Sequence, residues 1–305
     1  MRAVETGIAK AVIKPDTEDA SDPAYLKIRN LIYQVSGIYY PDEKLYLLAS
    51  RCARRMAVLK ASTPAGYLEH LTVREKREDE LRLLLNEITI GETYMFRSPA
   101  QLEALRNVIL PQILQAKSAR GVKSLHLWSA GCSTGEEPYT LAMFLVEESA
   151  KLLAECTFDI LATDLNDNSL AVAKAGIYGD YALHCTGEPL KRKYFAPHDE
   201  KRLRVSDQLK SQIRFDRVNL LDQGKMNSLK GMDLIFCCNV LIYFDLSSKR
   251  KVIEHFYSNL LPGGYLFLGH AESLYQVDER FRLVHFPKAI AYWKPPAGCG
   301  GEGKP

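Results

Sequence analysis

The sequence predicts an α/β protein in which a mainly parallel sheet is preceded by a small all-α unit. After Pro99, short apolar stretches alternate with helical segments, a pattern typical of βαβ units. Before Leu85, apolar residues recur instead at the spacing of one buried helical face. The composition, 47% hydrophobic and 25% charged, suits a globular chain with a sizeable core and excludes a disordered or collagen-like chain.

The N-terminal part of the chain is predicted to be helical after a loose arm over residues 1–20. Within Lys44–Lys60, one helical face carries the apolar side chains of Leu45, Leu48, Cys52, Met56 and Leu59. We therefore predict an all-α domain over residues 21–85. Residues 86–98 break the helical period and contain Gly91, so they predict an extended linker.

The rest of the chain predicts a sheet domain over residues 99–295. Its predicted strands are Ser124–Ala130, Asp159–Leu165, Ile213–Val218, Met232–Val240 and Gly264–Gly269. The alternation of strands and helices degrades between Tyr178 and Arg214, which predicts a small subdomain inserted at about residues 178–214. The Gly-rich residues 296–305 predict a disordered tail.

Several classes of protein are excluded by simple counts. The seven cysteines contain no Cys-x-x-Cys pair, so we expect no disulfide framework, no metal site and a reduced, cytoplasmic location. No apolar run approaches the length of a membrane span, about 18 residues, and no apolar core of a signal peptide follows Met1. The formal net charge is only +3, which gives no general preference for nucleic acid.

The strongest local signal is Trp128-Ser-Ala-Gly-Cys-Ser-Thr-Gly-Glu-Glu-Pro-Tyr139. A predicted strand runs into Gly131 and Gly135 and then into a helix, as in turns that hold a nucleotide. Glu136 and Glu137 stand where a phosphate-binding turn would present bare N–H groups and a basic residue. Two carboxylates repel a pyrophosphate and attract the sulfonium and ammonium groups of S-adenosylmethionine (SAM). The alternative is that they only complement a helix dipole.

Asp164 is predicted to end the second strand of the sheet. An acid at this position can accept hydrogen bonds from both ribose hydroxyls of an adenosine cofactor. The alternative role is that of N-cap for the helix that begins near Asn168, but Asp167 is the better candidate for that cap.

With these residues in place, the chain resembles the SAM-dependent chemotaxis receptor methyltransferases, the CheR family, from about Tyr25 to Lys294. The motifs that carry the resemblance are Ile88-Thr-Ile-Gly-Glu-Thr-Tyr-Met-Phe-Arg97, the Trp128–Tyr139 segment, Ala162-Thr-Asp164, Val218-Asn-Leu-Leu221, Phe236-Cys-Cys-Asn-Val-Leu-Ile-Tyr-Phe244 and Gly269-His-Ala-Glu-Ser273. The resemblance implies a Rossmann-like class I SAM methyltransferase sheet. It also implies methyl transfer from SAM to glutamate carboxylates of chemoreceptors, for adaptation in chemotaxis, with S-adenosylhomocysteine as product.

The resemblance also implies roles for individual residues. Cofactor-binding positions are Thr93, Arg97, Glu137, Asp164, Asn219, Leu220, Cys238 and Asn239, and methyl transfer takes place at Arg97 and Tyr243. Cys238 stands where the family usually has Arg, and Gly91 where some members have an Asn of the cofactor site.

For three of these residues, a purely structural role is an alternative interpretation. Asn219 can read the adenine edge with its amide or serve a turn, and Arg97 can bind a carboxylate or lie on the surface. Tyr243, which follows an apolar stretch predicted as strand, can act in the site or fill the core.

A basic surface is predicted in the all-α domain. From Lys44 to Leu68 there are five basic residues and no acidic one. Of these, Lys44, Arg51, Arg54 and Arg55 lie on or beside one helical face. Such a stripe suits the glutamate-rich coiled-coil region of a chemoreceptor, whereas a solvated face or a nucleic-acid surface are the alternatives. We expect no nucleic acid, because no aromatic residues interleave the stripe.

The segment Phe195–Arg204 is short and polar, whereas family members that grip a receptor's C-terminal tail resemble each other in a longer, Gly-rich loop. We therefore expect no C-terminal pentapeptide tether. We further expect a monomer without direct membrane insertion that is recruited to membrane receptor arrays. Two alternatives stay open: a methyltransferase for another acidic substrate, and a non-catalytic scaffold or sensor that binds SAM.

Overall fold

The computed structural model describes residues 21–72, 75, 77–149, 151–153 and 156–296, and the predicted arm over 1–20 and tail beyond 296 lie outside these residues. The chain divides into two compact units. The first contains the described residues up to Gln34 and Tyr39–Ile88, and the second contains Val35–Ile38 and the described residues from Thr89 onward.

The first unit is helical, as predicted. Its helices are α1 (Pro23–Ser36, which ends in residues of the second unit), α2 (Leu45–Leu59), α3 (Pro64–Thr72) and α4 (Arg77–Ile88). Leu48 and Cys52 on α2 are fully buried, which confirms the predicted apolar face. The predicted boundary at residue 85 is wrong, because Leu84, Leu85 and Ile88 continue one buried face of α4 to its end. The extended linker therefore starts at Thr89.

The second unit alternates strands and helices. Its helices are α5 (Pro99–Ala104), α6 (Leu110–Ser118), α7 (Glu136–Ser149), α8 (Asp167–Ala175), α9 (Asp180–Leu183), α10 (Glu188–Tyr194), α11 (Asp207–Lys210), α12 (Gln223–Asn227) and α13 (Leu246–Asn259). A π-helical turn, Leu105–Ile109, joins α5 to α6, and a 3-10 turn forms at Leu241–Tyr243. Among the described residues, no helix combines the length and the apolar character that a bilayer span requires.

The strands of this unit form two sheets. They are β1 (Ser124–Ala130), β2 (Thr157–Asp164), β3 (Ile177–Gly179), β4 (Phe195–Pro197), β5 (Arg202–Val205), β6 (Ile213–Arg217), β7 (Met232–Cys237), β8 (Leu260–Leu268), β9 (Arg282–Phe286) and β10 (Ala289–Trp293). The large sheet has the order β6-β2-β1-β7-β8-β10-β9. The first five strands in this order, β6, β2, β1, β7 and β8, pair in parallel. β10 pairs antiparallel with both of its neighbours, β8 and β9.

The predicted strands are all present, but the C-terminal hairpin β9–β10 was not expected from the sequence. β7 is buried along its whole length and β1 over its last four residues, as a sheet with helices on both sides requires of its central strands. Along β7, Leu234 and Phe236 pack into one hydrophobic cluster and Ile235 and Cys237 into the other. The fully buried Trp128 on β1 fixes the second cluster by packing edge-on against Phe256 of α13.

The strand order reverses between β1 and β7. At such a reversal the crossover connections leave the sheet in opposite directions, so a crevice opens beyond the carboxyl ends of the strands. The small sheet, with the order β3-β5-β4, forms between α8 and β6, where the sequence predicted an inserted subdomain. Between β4 and β5, residues 198–201 make a tight turn that the ion pair of Arg202 with Asp199 closes.

Candidate functional site

A glycine turn leaves β1 at the crevice. Gly131 and Gly135 have φ values of 81° and 96°, and Ser133 between them also has a positive φ, 49°. A Cβ on Gly131 would lie 2.4 Å from a methyl carbon of Val240, so the close approach of these two segments requires glycine. The N–H groups of Gly131 and Cys132 both donate to the Thr163 carbonyl, which ties the turn to β2.

Asp164 lies beside this turn at the end of β2. One carboxylate oxygen accepts the N–H of Ser133 at 2.8 Å and the other accepts the N–H of Asn166 at 2.8 Å. Burial raises the pKa of Asp164, although these backbone donors oppose the shift. A carboxylate has about four lone-pair directions, so the backbone donors leave acceptor capacity for a hydroxyl group.

The predicted cap of α8 is wrong. The N-cap is Asn166, whose Oδ1 accepts the N–H groups of Asn168 and Ser169. Asp167 instead lies in the first turn and pairs with Arg217 at 3.3 Å. Asp164 is therefore not needed as a cap.

The two glutamates after the turn have different surroundings. Glu137 accepts the Ser129 hydroxyl at 2.6 Å, and its electrostatic neighbours are Glu272, Arg97 and the Cys238 thiol. Glu136 is buried and accepts the Thr134 hydroxyl at 2.7 Å. Burial raises the pKa of both carboxyls to about 7. Glu137 is thus the acid of the crevice, and Glu136 belongs to the support of the turn.

The carboxyl end of β7 is held by one buried acid. Glu272 accepts the N–H groups of Asn239 and Gly269, both at 2.7 Å, and of Ile242 at 3.2 Å. Asn239 has a φ of 63°, so the predicted strand to Val240 is wrong and β7 ends at Cys237. This bend brings Asn239 into close contact with Gly269, where a Cβ would lie 2.8 Å from the Asn239 nitrogen.

Cys238 follows β7 as a neutral thiol. Its Sγ lies 3.8 Å from Gln101 Oε1, and burial raises its pKa far above the ordinary value. It supplies no positive charge where the family usually has Arg, so Arg97 is the cation that acts on Glu137.

Arg97 lies on the extended segment before α5. Met95, which is fully buried, donates its N–H to the Ala182 carbonyl at 2.9 Å, and Phe96 donates to the Thr140 hydroxyl at 3.0 Å with a φ of 57°. The exposed Arg97 guanidinium donates to the Glu92 carbonyl at 3.0 Å and stands 5.7 Å from the centre of the Tyr94 ring. Thr93 on the same segment is half-buried.

Tyr243 shares these surroundings. It lies in the 3-10 turn after β7, and not at a strand end as predicted. Burial raises its pKa, with Arg97 opposing the shift and Glu92 and Glu272 adding to it. Tyr243 therefore keeps its proton at neutral pH, and it lies within electrostatic range of Arg97.

The Asn219 side chain is occupied by backbone groups. Its amide nitrogen donates to the Val35 carbonyl at 2.6 Å, and its Oδ1 accepts the N–H of Leu221 at 3.0 Å. These bonds are those expected of a turn asparagine, and because the amide keeps a second N–H and a second lone pair, its contact with adenine stays a prediction. Leu220 is buried beside it, and its carbonyl contacts the Nδ1 of His255 at 2.9 Å.

The linker also contacts the glycine turn. Ser133 donates its hydroxyl to the Gly91 carbonyl at 3.1 Å, and a Cβ on Gly91 would lie 2.6 Å from that hydroxyl oxygen. Asn166, next to Asp164, donates to the Thr89 hydroxyl at 2.7 Å. Glycine at position 91 is therefore matched to Ser133, which fills the space that a side chain there would need.

In the first unit, acids of α4, outside the segment Lys44–Leu68, balance part of the predicted basic stripe. Arg55 makes two hydrogen bonds, of 3.0 and 2.7 Å, to the buried carboxylate of Glu80, which also accepts the Tyr67 hydroxyl at 2.8 Å. Arg54 lies 3.6 Å from Glu87. Arg55 is thereby removed from the predicted receptor surface, since its side chain is 13% exposed and committed to α4. Lys44 is exposed and Arg51 half-buried.

The crevice fits a cationic nucleoside better than a nucleotide. Glu137 follows its glycine turn, and Asp164 adds a second carboxylate at the neighbouring strand end. Across the described residues, no group of three or more metal-binding side chains comes together. The acid-lined turn matches SAM, which carries positive charge and no phosphate.

Comparisons with known proteins agree with this geometry. The family described as CheR methyltransferase, SAM binding domain, matches residues 91–290, and the CheR methyltransferase all-alpha domain matches residues 23–89. The chain belongs to the CheR methyltransferase family. The predicted family and the predicted fold, a class I SAM methyltransferase sheet after an all-α N-terminal domain, are confirmed.

Curated relatives cover nearly the whole of this CheR methyltransferase. It is 33% identical over 282 residues to chemotaxis protein methyltransferase 2 of Vibrio cholerae, which covers 92% of this chain and 96% of the relative. It is 31% identical over 276 residues to chemotaxis protein methyltransferase 1 of Pseudomonas aeruginosa, covering 90% and 98%. The Borreliella burgdorferi chemotaxis protein methyltransferase is 33% identical over 250 residues, covering 81% and 87%.

Three residues that adjoin the predicted site were not predicted from the sequence. Glu92 lay inside a motif used for the resemblance but received no role, and Tyr181 and Gln101 were not noticed. Glu92 and Tyr181 are 89 residues apart, and Gln101 and Cys238 are 137 apart, so no local spacing connects them.

Proposed function

We propose that this protein transfers the methyl group of SAM to glutamate carboxylates of chemoreceptors and forms glutamyl methyl esters and S-adenosylhomocysteine. The observation that carries the proposal is the shared neighbourhood of Glu137, Arg97 and Tyr243 at the carboxyl edge of the sheet. An acid suits the cationic methyl donor, and an exposed arginine suits the anionic acceptor.

The residues that would hold SAM lie on four strand ends and the linker. Asp164 would accept the ribose hydroxyls and Glu137 would bind a positively charged group. The backbone at Asn219 and Leu220 would line the adenine, and Thr93, Cys238 and Asn239 would close the crevice. The linker contributes through the hydrogen bond of Ser133 with Gly91, which shapes the turn.

The chain needs no general base for this reaction. A glutamate carboxylate has a pKa of about 4.3 and is already ionised at neutral pH. When bound, SAM supplies an activated methyl group: its carbon–sulfur bond breaks as the carboxylate oxygen–carbon bond forms, and a neutral thioether leaves. Arg97 would fix the acceptor carboxylate, because a guanidinium binds both its oxygens in one plane.

Tyr243 would act as a hydrogen-bond donor. Its raised pKa keeps the hydroxyl protonated, so it is unsuited to be a base at neutral pH and suited to orient an oxygen of the acceptor. Positioning in a partly dehydrated site then supplies most of the rate enhancement, up to about 7–11 kcal/mol.

For receptor binding, the basic surface of the first unit is reduced to Lys44, Arg51 and Arg54. These side chains would attract the glutamate-rich coiled-coil region of the receptor and recruit the protein to receptor arrays. We further propose that the protein acts as a monomer without a receptor C-terminal pentapeptide, because the β4–β5 connection is a four-residue turn, 198–201.

The activity is tested with labelled SAM and a panel of receptor cytoplasmic fragments. We expect label on glutamates, mapped by mass spectrometry, and loss of the label in mild base, since a carboxyl ester hydrolyses there. Base-stable label would contradict the glutamate assignment. Fragments with and without the C-terminal pentapeptide should be methylated at equal rates, and a clear preference for the longer fragment would overturn the proposal of no tether.

A further inference from the structure

The segment that carries Arg97 is held by a helix of the inserted subdomain. Tyr181 on α9 donates its hydroxyl to Glu92 Oε1 at 3.2 Å, and the next residue, Ala182, accepts the N–H of Met95 at 2.9 Å. Two hydrogen bonds therefore connect α9 to the segment on either side of Tyr94.

An aromatic cluster completes this connection. The Tyr94 ring packs edge-on against Tyr181, with centres 6.4 Å apart, and lies 4.5 Å from the His184 ring. His184 Nδ1 contacts the Tyr181 carbonyl at 2.6 Å, which fixes the imidazole on α9. Edge-on and tilted ring pairs of this kind favour one relative orientation of the two rings.

Both contacts of the Arg97 guanidinium are made to residues that α9 holds. The guanidinium donates to the Glu92 carbonyl and stands over the Tyr94 ring. Glu92 is bound by the Tyr181 hydroxyl, and Tyr94 is packed by the Tyr181 ring. An arginine side chain has many rotamers, so its geometry depends on such neighbours.

The Tyr181 side chain lies on the surface and is not part of the hydrophobic core. Its side chain is 60% exposed, whereas neighbouring Ala182 and Leu183 are buried. Removing the hydroxyl therefore leaves little buried area changed and no buried polar group unpaired, so the fold should tolerate the change.

We propose that Tyr181 is a positioning residue for Arg97 and acts through Glu92 and Tyr94. The inference rests on the proposed role of Arg97 in fixing the acceptor carboxylate. Tyr181 restricts the guanidinium to the orientation in which it meets the acceptor, and its own side chain does not touch the reacting atoms.

The first test compares Tyr181→Phe with Tyr275→Phe. Tyr275 is 80% exposed and, among the described residues, its hydroxyl has no hydrogen-bond partner, so it controls for loss of a surface hydroxyl. We expect Tyr181→Phe to lower kcat/KM for the receptor fragment about 3- to 10-fold, the range of a typical net hydrogen-bond contribution, since solvent screens the charge of the exposed Glu92. SAM affinity by calorimetry should stay unchanged, as should both quantities in Tyr275→Phe.

The second test is a double-mutant cycle with Glu92→Ala. If Tyr181 acts through Glu92, Tyr181→Phe should have no further effect in the Glu92→Ala background. Equal, additive losses in both backgrounds would overturn the proposal, as would wild-type kcat/KM in Tyr181→Phe.

A third variant separates this inference from the proposed function. Arg97→Lys keeps the charge and loses the planar fork, so it should lower kcat/KM strongly and abolish the effect of Tyr181→Phe. Full activity in Arg97→Lys would overturn both the role of Arg97 and the inference. Loss of activity in Arg97→Lys with a normal Tyr181→Phe enzyme would overturn the inference alone.

Discussion

Asp164 shows how one side chain can shape a turn and bind a ligand. Its two oxygens accept the N–H groups of Ser133 and Asn166, so replacement by Asn puts an N–H₂ group against a backbone donor. We expect Asp164→Asn to weaken SAM binding about 10- to 100-fold, from the loss of charged hydrogen bonds of about 1.5–3 kcal/mol. Titration calorimetry measures the SAM affinity of the variant and of the parent protein. The control is Asp159→Asn, an exposed acid on the same strand. Unchanged affinity in Asp164→Asn would remove this residue from the site.

Glu137 couples SAM binding to protons. The free carboxyl has a pKa of about 7, and a cationic ligand binds only its ionised form. Below pH 7 binding should therefore release a proton, and affinity should fall toward tenfold for each unit of pH. Calorimetry at pH 6 in buffers of different ionisation enthalpy counts the proton. Glu137→Gln should bind more weakly and without this release. Glu136→Gln should retain the release, because Glu136 lies against Thr134. A proton count of zero in the parent protein would contradict the assignment.

At this scale, prediction from sequence worked where the local chain decides the geometry. Asp164 lies at a strand end and Glu137 directly after a glycine turn, so their positions beside the crevice could be predicted from the local sequence. Asn219 could not be assigned, because its amide is engaged by Val35, 184 residues away. The place of Tyr243 was predicted wrongly because β7 ends before it. Glu272 accepts three backbone N–H groups near the strand end, and a longer strand would have needed such groups for its pairing with the next strand.

Elements were predicted well where apolar runs are buried on both faces. The hairpin β9–β10 was missed because β9 alternates with exposed residues such as Leu283 and follows a charged turn, so it lacks such a run. The basic surface on α2 was overestimated for a related reason. Charge balance was counted along one helix, whereas the acids that pair with Arg54 and Arg55 lie on α4.

The α2–α4 ion pair gives a prediction at this scale. Arg55→Met leaves the Glu80 carboxylate buried with the Tyr67 hydroxyl as its remaining side-chain partner. We expect the free energy of unfolding to fall by about 3 kcal/mol, measured by denaturant titration, because an uncompensated buried charge is costly. Arg51→Met is the matched control on the same helix and should change stability by less than about 0.5 kcal/mol. Equal stability of the two variants would show that the Arg55 pair contributes nothing net.

Charge reversal on the same helix separates stability from receptor binding. Arg51→Glu should lower methylation of receptor fragments, most strongly at low salt, because electrostatic steering weakens with ionic strength. SAM affinity should stay the same, since the SAM-binding residues belong to the second unit. Rates equal to the parent at every salt concentration would exclude Arg51 from receptor binding.

For the whole molecule, the acids that prepare the site should make the ligand-free protein less stable as pH rises. Glu136 and Glu137 have pKa values of about 7 in the folded chain, against an ordinary value of 4.5. Between these values the folded state binds more protons than the unfolded state, so the free energy of unfolding falls as pH rises from about 4.5 to 7. Glu147, Asp199 and Asp278 have lowered pKa values, so they add stability with rising pH only below that window.

Urea unfolding of the ligand-free protein at pH 5, 6, 7 and 8 tests this prediction. We expect the unfolding midpoint to decrease between pH 5 and 7, and less steeply in Glu136→Gln and Glu137→Gln, which cannot ionise. At pH 8 Glu137→Gln should be more stable than the parent protein without ligand, yet gain less stability from saturating SAM. A site that buries a carboxylate to bind a cation should show this opposite effect on ligand-free and ligand-bound stability, because the bound cation offsets the cost of burying the carboxylate. A midpoint that rises steadily from pH 5 to 7 would show that these carboxyls are solvated and that the turn does not hold Glu137 for a cation.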